Sequence, residues 1–124
     1  MKLIIEYYKF FNEYKARVTL MKDRGVSFVE LIVLYSIFSK KRTQREIVDF
    51  LQKDRSQIYR VLKKLVEKKL VIKKENEYVI TSLGAEVSKN LIEENEKILN
   101  ILNNKVDLKS LQEKIKEASL AISN

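Results

Sequence analysis

At 124 residues, the chain suits one domain or a domain with helical extensions. Hydrophobic residues make up 45% and charged residues 34%, so a folded core under a well-solvated surface is expected, not a disordered tail. There is no cysteine and no histidine, and the formal net charge is +8. Disulfides, a thiolate nucleophile, the usual general base and the commonest metal ligand are excluded, so neither an enzyme nor a cofactor or metal is expected.

With no proline and two glycines, the chain is predicted to be mainly helical with short connections. Residues 2–22 read as an amphipathic helix. Ile4, Tyr7, Phe11, Tyr14, Val18 and Met21 step 3-4-3-4-3, a heptad seam that Leu3, Tyr8 and Phe10 widen. Lys22-Asp23-Arg24-Gly25 closes it, with Gly25 as the left-handed residue. The next helix, 27–38, opens on a Ser27/Glu30 capping box and is apolar almost all round, which predicts a buried centre. Its longest apolar stretch, Leu31 to Phe38, is far short of the roughly 20 residues a membrane span needs. The N-terminal MKLIIEYYKFF lacks a small-residue cleavage site. A cytoplasmic, nucleoid-associated location is expected, with no membrane partner.

Ser39 to Arg42 reads as a polar connection. A third helix starts at a Thr43/Glu46 capping box, with Ile47, Val48 and Leu51 inward. Gln52-Lys53-Asp54 is a tight turn, and Asp54 caps a fourth helix over 55–68 with Gln57 able to complete a box. Ile58, Val61, Leu62, Leu65 and Val66 form its buried stripe. Arg55, Ser56, Gln57, Tyr59, Arg60, Lys63 and Lys64 lie opposite. Two short strands, 70–74 and 77–81, turn at Glu75-Asn76. Thr81 or Ser82 caps a helix over about 83–104 carrying Val87, Leu91, Ile98, Ile101 and Leu102. Asp107 caps the last, where Leu108, Leu111, Ile115, Ala118 and Ile122 again step 3-4-3-4.

Residues 40–74 hold thirteen Lys/Arg and four Asp/Glu, a net +9, while the remaining residues sum to −1. Charge gathered on one unit that also has a helix-turn-helix pattern is the footprint of a nucleic-acid binder.

The order helix, helix, turn, helix, hairpin is that of a winged helix. TQREIVDFLQKDRSQIYRVLKKLVEKKLVIKK, followed by ITSLG, resembles the MarR family of bacterial transcription regulators. The resemblance rests on Thr43-Gln44-x-Glu46, Asp54-Arg55-Ser56, a later Arg60, then x-x-Leu-x-x-Lys-x-Leu-Val, and Thr81-x-x-Gly84. It covers about residues 27–104 by pattern and the ends by architecture. It implies a mainly α fold with a small β-hairpin wing: residues 1–25 a dimerisation helix, 26–82 the DNA-binding winged helix, 83–124 further dimerisation helices. Two departures stand out. The family's wing is longer and carries an Asp-x-Arg whose Arg enters the minor groove, whereas Lys73-Lys74-Glu75-Asn76-Glu77 has no Arg. Lys69 also stands where the family often has Gly.

If docked as a helix-turn-helix, the fourth helix lies in the major groove with Arg55, Ser56, Gln57 and Arg60 nearest the bases. Arg suits guanine and Gln adenine, each pair discriminating by roughly 1–3 kcal/mol. Gln57 is equally suited to the capping box. Tyr59 suits a thymine methyl, a phosphate or simple packing. Thr43 and Gln44 suit a phosphate at a helix N-terminus, or Thr43 only caps. Lys40, Arg42, Lys63, Lys64, Lys73 and Lys74 are the candidates for sequence-independent phosphate attraction, alongside a solubilising role. A homodimer would present two such helices to half-sites ~10 bp apart on double-stranded DNA. Ile4, Tyr7, Phe11, Tyr14, Val18, Leu111, Ile115, Ala118 and Ile122 are its candidate interface, against an intramolecular helix pair. The leading expectation is a repressor. A winged-helix protein-interaction module is the alternative. The family resemblance also raises a small aromatic effector near Tyr7, Tyr14, Arg17 and Arg24.

Overall fold

The apolar helix expected over 27–38 is the centre about which the rest packs. The computed structural model describes residues 1–18 and 25–123. Its elements are α1 (Lys2–Val18), α2 (Phe28–Phe38), β1 (Arg42–Thr43), α3 (Gln44–Leu51), α4 (Arg55–Glu67), β2 (Val71–Lys74), β3 (Glu77–Ile80), α5 (Ser82–Asn103) and α6 (Leu108–Ser123). Met21 and the Lys22–Arg24 part of the predicted helix closure lie outside the described residues. Gly25 takes the left-handed region, φ 62, which glycine adopts without steric cost.

From α2, Leu31, Val33, Leu34 and Ile37 are buried against α4 and α5. Ile58, Val61, Leu62 and Leu65 enter from α4, Ile47 from α3, Leu70, Val71 and Tyr78 from the hairpin, and Val87 and Leu91 from α5. Burying each large aliphatic side chain stabilises by about 1.5–3 kcal/mol, so this α2-centred core dominates the fold. Val66, expected inside, is 39% exposed. At 100° per residue it lies roughly 90° from the centre of the α4 stripe, on its shoulder.

The helix starts follow the capping chemistry in three forms. Thr43 and Glu46 make the full reciprocal box: Glu46 N–H donates to Thr43 Oγ1 (3.1 Å) and Thr43 N–H to Glu46 Oε1 (2.9 Å). Ser27 makes half of one, accepting from Glu30 N–H. The other half is missing because the Glu30 carboxylate, almost fully buried, turns to Lys68 Nζ at 2.6 Å. Asp54 makes no side-chain cap at α4 and accepts instead from the Ser56 hydroxyl. The expected Asp54/Gln57 box is therefore not formed. Thr81, not Ser82, caps α5, and Asp107 accepts from Ser110 N–H ahead of α6.

The sheet has a third strand that the polar connection concealed. β1 pairs antiparallel with β3, giving the order β1-β3-β2. Two residues show no alternation to read, and the edge of β3 imposes the pairing.

A tight junction joins α4, the hairpin and α5. Leu70 N–H donates to Leu65 O and Lys69 N–H to Val66 O, the two bonds of a Schellman motif, with Lys69 as its left-handed residue at φ 63. Thr81 then grips this turn, its N–H on Leu70 O (3.1 Å) and its hydroxyl on Lys69 O (2.8 Å). Gly84 completes the contact: a Cβ there would lie 2.1 Å from Leu70 O. Two outcomes follow for urea denaturation. Gly84→Ala should destabilise by about 1–3 kcal/mol or more, because the obstacle is backbone. Lys69→Gly should stabilise by about 0.5–1 kcal/mol, by relieving a left-handed non-glycine residue.

Candidate nucleic-acid interface

The outward face of α4 is built by its periodicity. With Ile58, Val61, Leu62 and Leu65 held in the core, the i, i+4 ladder Arg55, Ser56, Tyr59, Arg60, Lys63 and Lys64 is exposed in one stripe. Tyr59 is 53% exposed, which sets aside the reading of it as packing. Gln57 is half-buried and, with no capping box, is not tied to the helix backbone. Ser56 is exposed, but its hydroxyl hydrogen goes to Asp54 within its own turn. Gln57, Arg60 and Lys64 share the rim of a cavity of about 220 Å³ with Ser27 and Val29 at the start of α2.

Around this stripe the basic residues divide. Lys40, Lys63, Lys64, Lys73 and Lys74 are exposed. Arg42 is half-buried and engaged internally: its Nε donates to Ser36 O at 2.6 Å and its guanidinium lies 4.3 Å from the centre of the Phe50 ring. It ties the end of α2 to α3, so the phosphate contact expected of it is, at Nε, replaced by a structural bond. Lys41 pairs with Glu77 at 3.3 Å. Lys68 donates both to Glu30 and to Gly25 O (2.5 Å). Arg45, which sequence reasoning passed over, stands exposed in the first turn of α3 beside Gln44. Its place two residues past the cap, in the first turn, was the available signal. Thr43 Oγ1 is occupied by Glu46 N–H and Thr43 N–H by the Glu46 carboxylate, which makes the cap its evident role.

The candidate interface residues sit largely on outward faces. Ile4, Tyr7, Phe11, Ile115, Ala118 and Ile122 are exposed and Leu111 is half-exposed. Val18 is the exception: it is 1% exposed, inside its own chain's core, and so is unavailable to a partner. Tyr14 is half-buried and its hydroxyl donates to Asn95 on α5. Burial there raises its pKa. Tyr14 and Arg17 do line one cavity, of about 220 Å³, with Phe10, Glu13, Ile98, Ile101 and Leu102. Tyr7 is not part of it, and Arg24 lies outside the described residues. Among the described residues no His/Cys/Asp/Glu cluster is placed to hold a metal, and no helix is long and apolar enough to cross a membrane.

Residues 26–86 match the family of winged helix DNA-binding domains. Solved structures extend the likeness to the whole chain. A MarR protein from Peptoclostridium difficile is 16% identical, with a TM-score of 0.85 over 98% of this chain and 88% of that one. A MarR family transcriptional regulator from Listeria monocytogenes, complexed with a 26mer DNA, is 20% identical at a TM-score of 0.80, covering 96% and 87%. This chain is a winged helix protein with the MarR fold. The transcriptional regulator BldR from Sulfolobus solfataricus shares the fold too, at 21% identity and a TM-score of 0.75 over 98% and 92%. No match was found among curated protein sequences.

In this winged helix, two carboxylates frame the motif. Hydrogen bonds from Thr43, backbone first, lower the pKa of Glu46, and the Ser56 hydroxyl lowers that of Asp54. Both titrate lower folded than unfolded. Their stabilisation is complete above the ordinary carboxylate range and is lost as pH falls through the depressed folded values. Glu46→Gln should therefore flatten part of the acid limb of a stability–pH curve measured by urea midpoints. Thr43→Ala should cost about 1 kcal/mol, and Thr43→Ser should restore it.

Proposed function

We propose that this winged helix protein is a dimeric, sequence-specific DNA-binding transcriptional regulator, acting as a repressor. Residues 26–82 are its reading unit, and residues 1–25 and 83–124 are its dimerisation arms. The observation that carries the reading is the exposed α4 stripe from Arg55 to Lys64 on a winged helix scaffold. Arg60 is its principal base reader: it is exposed near the middle of the stripe, and its fork matches guanine O6 and N7. Arg55 and Gln57 flank it, and the surrounding lysines supply attraction to phosphates. The DNA-bound Listeria relative supports the same use of the fold.

The dimer is supported by what α1 and α6 leave uncovered. No residue of α6 is buried, and a solitary helix of 16 residues is only marginally stable in water. Leu3, Ile4, Tyr7, Tyr8 and Phe10 on α1, and Ile115, Leu120 and Ile122 on α6, are exposed large apolar side chains. Apolar surface gathered on terminal helices marks an interface, and a two-fold partner covers it while setting two α4 helices in register with inverted half-sites.

Selection of bound duplexes by the purified chain, with Arg60→Ala alongside, tests the reading. The expected product is an inverted repeat with half-sites about one turn apart, lost in the variant. With roughly 6–10 phosphate contacts, affinity should fall about 10³–10⁵-fold between 50 and 200 mM salt. Salt-sensitive binding with no enriched motif would instead favour a protein-interaction module. For the arms, Ile115→Lys should shift sedimentation from dimer to monomer; a wild-type chain already monomeric at micromolar concentration would overturn the dimer.

A further inference from the structure

The hairpin has the shape of a wing but not the charge of a groove reader. Resting on the DNA reading above, we infer that this wing grips the DNA backbone and leaves the minor groove unread, so that base recognition is confined to the major-groove bases facing α4. Each strand is four residues long, about 13 Å at the usual rise, and Glu75 and Asn76 form the exposed tip. Glu75 holds φ 58, so the tip turns tightly and adds no reach.

Electrostatics decides what such a tip can enter. The minor groove is narrow, about 6 Å, and strongly negative, and it favours inserted cations. Here the foremost charged side chain is a carboxylate. Residues 73–77 contain two lysines and two glutamates, so the end of the hairpin is neutral overall. The cations stand behind the tip. Lys73 is opposite Tyr78 and Lys74 opposite Glu77. Lys73 Nζ lies 5.7 Å from the Tyr78 ring centre, and the Glu77 carboxylate is held by Lys41. That pairing leaves Lys74 the less opposed by its cross-strand neighbour. Exposed ammonium groups on the strands beneath an acidic tip suit phosphate oxygens along the groove edge, a contact that positions without specifying.

Dimethyl sulfate interference on a selected duplex separates the two grooves, since it methylates guanine N7 in the major groove and adenine N3 in the minor. The full-length chain should be sensitive to guanine N7 methylation within the half-sites and indifferent to adenine N3 methylation flanking them. Tenfold or greater weakening by flanking adenine N3 methylation would overturn the inference. The double substitution Lys73→Ala, Lys74→Ala, on exposed sites that leave the core intact, should weaken binding to all duplexes alike by about tenfold and lower the salt slope by roughly 1–2 per wing. Unchanged affinity, or a changed base preference beside the half-sites, would overturn it equally. A chain that binds no duplex at all at low salt would overturn the DNA reading itself, and this inference with it.

Discussion

The contact between Gly84 and the Leu70 carbonyl governs how the three working parts of the domain meet. Helix α4 ends in a left-handed turn at Lys69, the chain reverses into β2, and Thr81 brings α5 back onto that turn through two hydrogen bonds. A methyl group at residue 84 would occupy the space of the carbonyl. The orientation of α4, the root of the wing and the start of the long helix α5 are thus set at one place. Each polar group of the turn that Thr81 touches is satisfied there, which is why the turn can be this tight. Across the domain, Lys68 does a related task, joining the end of α4 to Glu30 and to the Gly25 carbonyl. Helix α4 is thus held at its C-terminal end from both sides.

The charge of the basic segment is divided between folding and surface. Lys68, Lys41 and Arg42 each have partners inside the chain, while the α4 stripe and the wing lysines face solvent. Net charge therefore overstates the number of cations available to phosphates. Such internal ties also explain how so basic a segment folds compactly: an ion pair at Glu30 and a guanidinium over Phe50 place positive charge against acceptors in the protein.

Much of this architecture was legible in the residues. Helix starts at Ser27, Thr43, Thr81 and Asp107 were readable because a short oxygen-bearing side chain before an apolar-periodic run has few other uses. The α4 core stripe was readable from its spacing, apart from Val66 at its edge. What escaped was tertiary. Arg42 reads as one more cation in a basic run, and only the packing of α2 against α3 shows that its Nε meets the Ser36 carbonyl. Strand β1 is two residues long and takes its form from β3. The failure of the Asp54 cap turned on Ser56, which competes for the same carboxylate from two residues away. Val18 fits the heptad seam as well as Tyr7 does, yet one faces the chain's own core and the other faces out, and no periodicity within a single helix distinguishes them. The seam on α1 is divided between a face against α5 and a face left uncovered, and that division depends on where α5 lies.

Helix α5 runs unbroken for 22 residues, about 33 Å, from the Thr81 junction to the start of the α6 region. It contains no proline, and its one glycine is at the first turn, locked against Leu70. A helix of that length without a flexible joint behaves as a lever arm. Rotating its far end by about 6° displaces its near end by roughly 3.4 Å, the rise of one base-pair step. In a two-fold assembly, small changes in how the terminal helices nest would translate into changes of a whole base-pair step in the span between the two α4 helices.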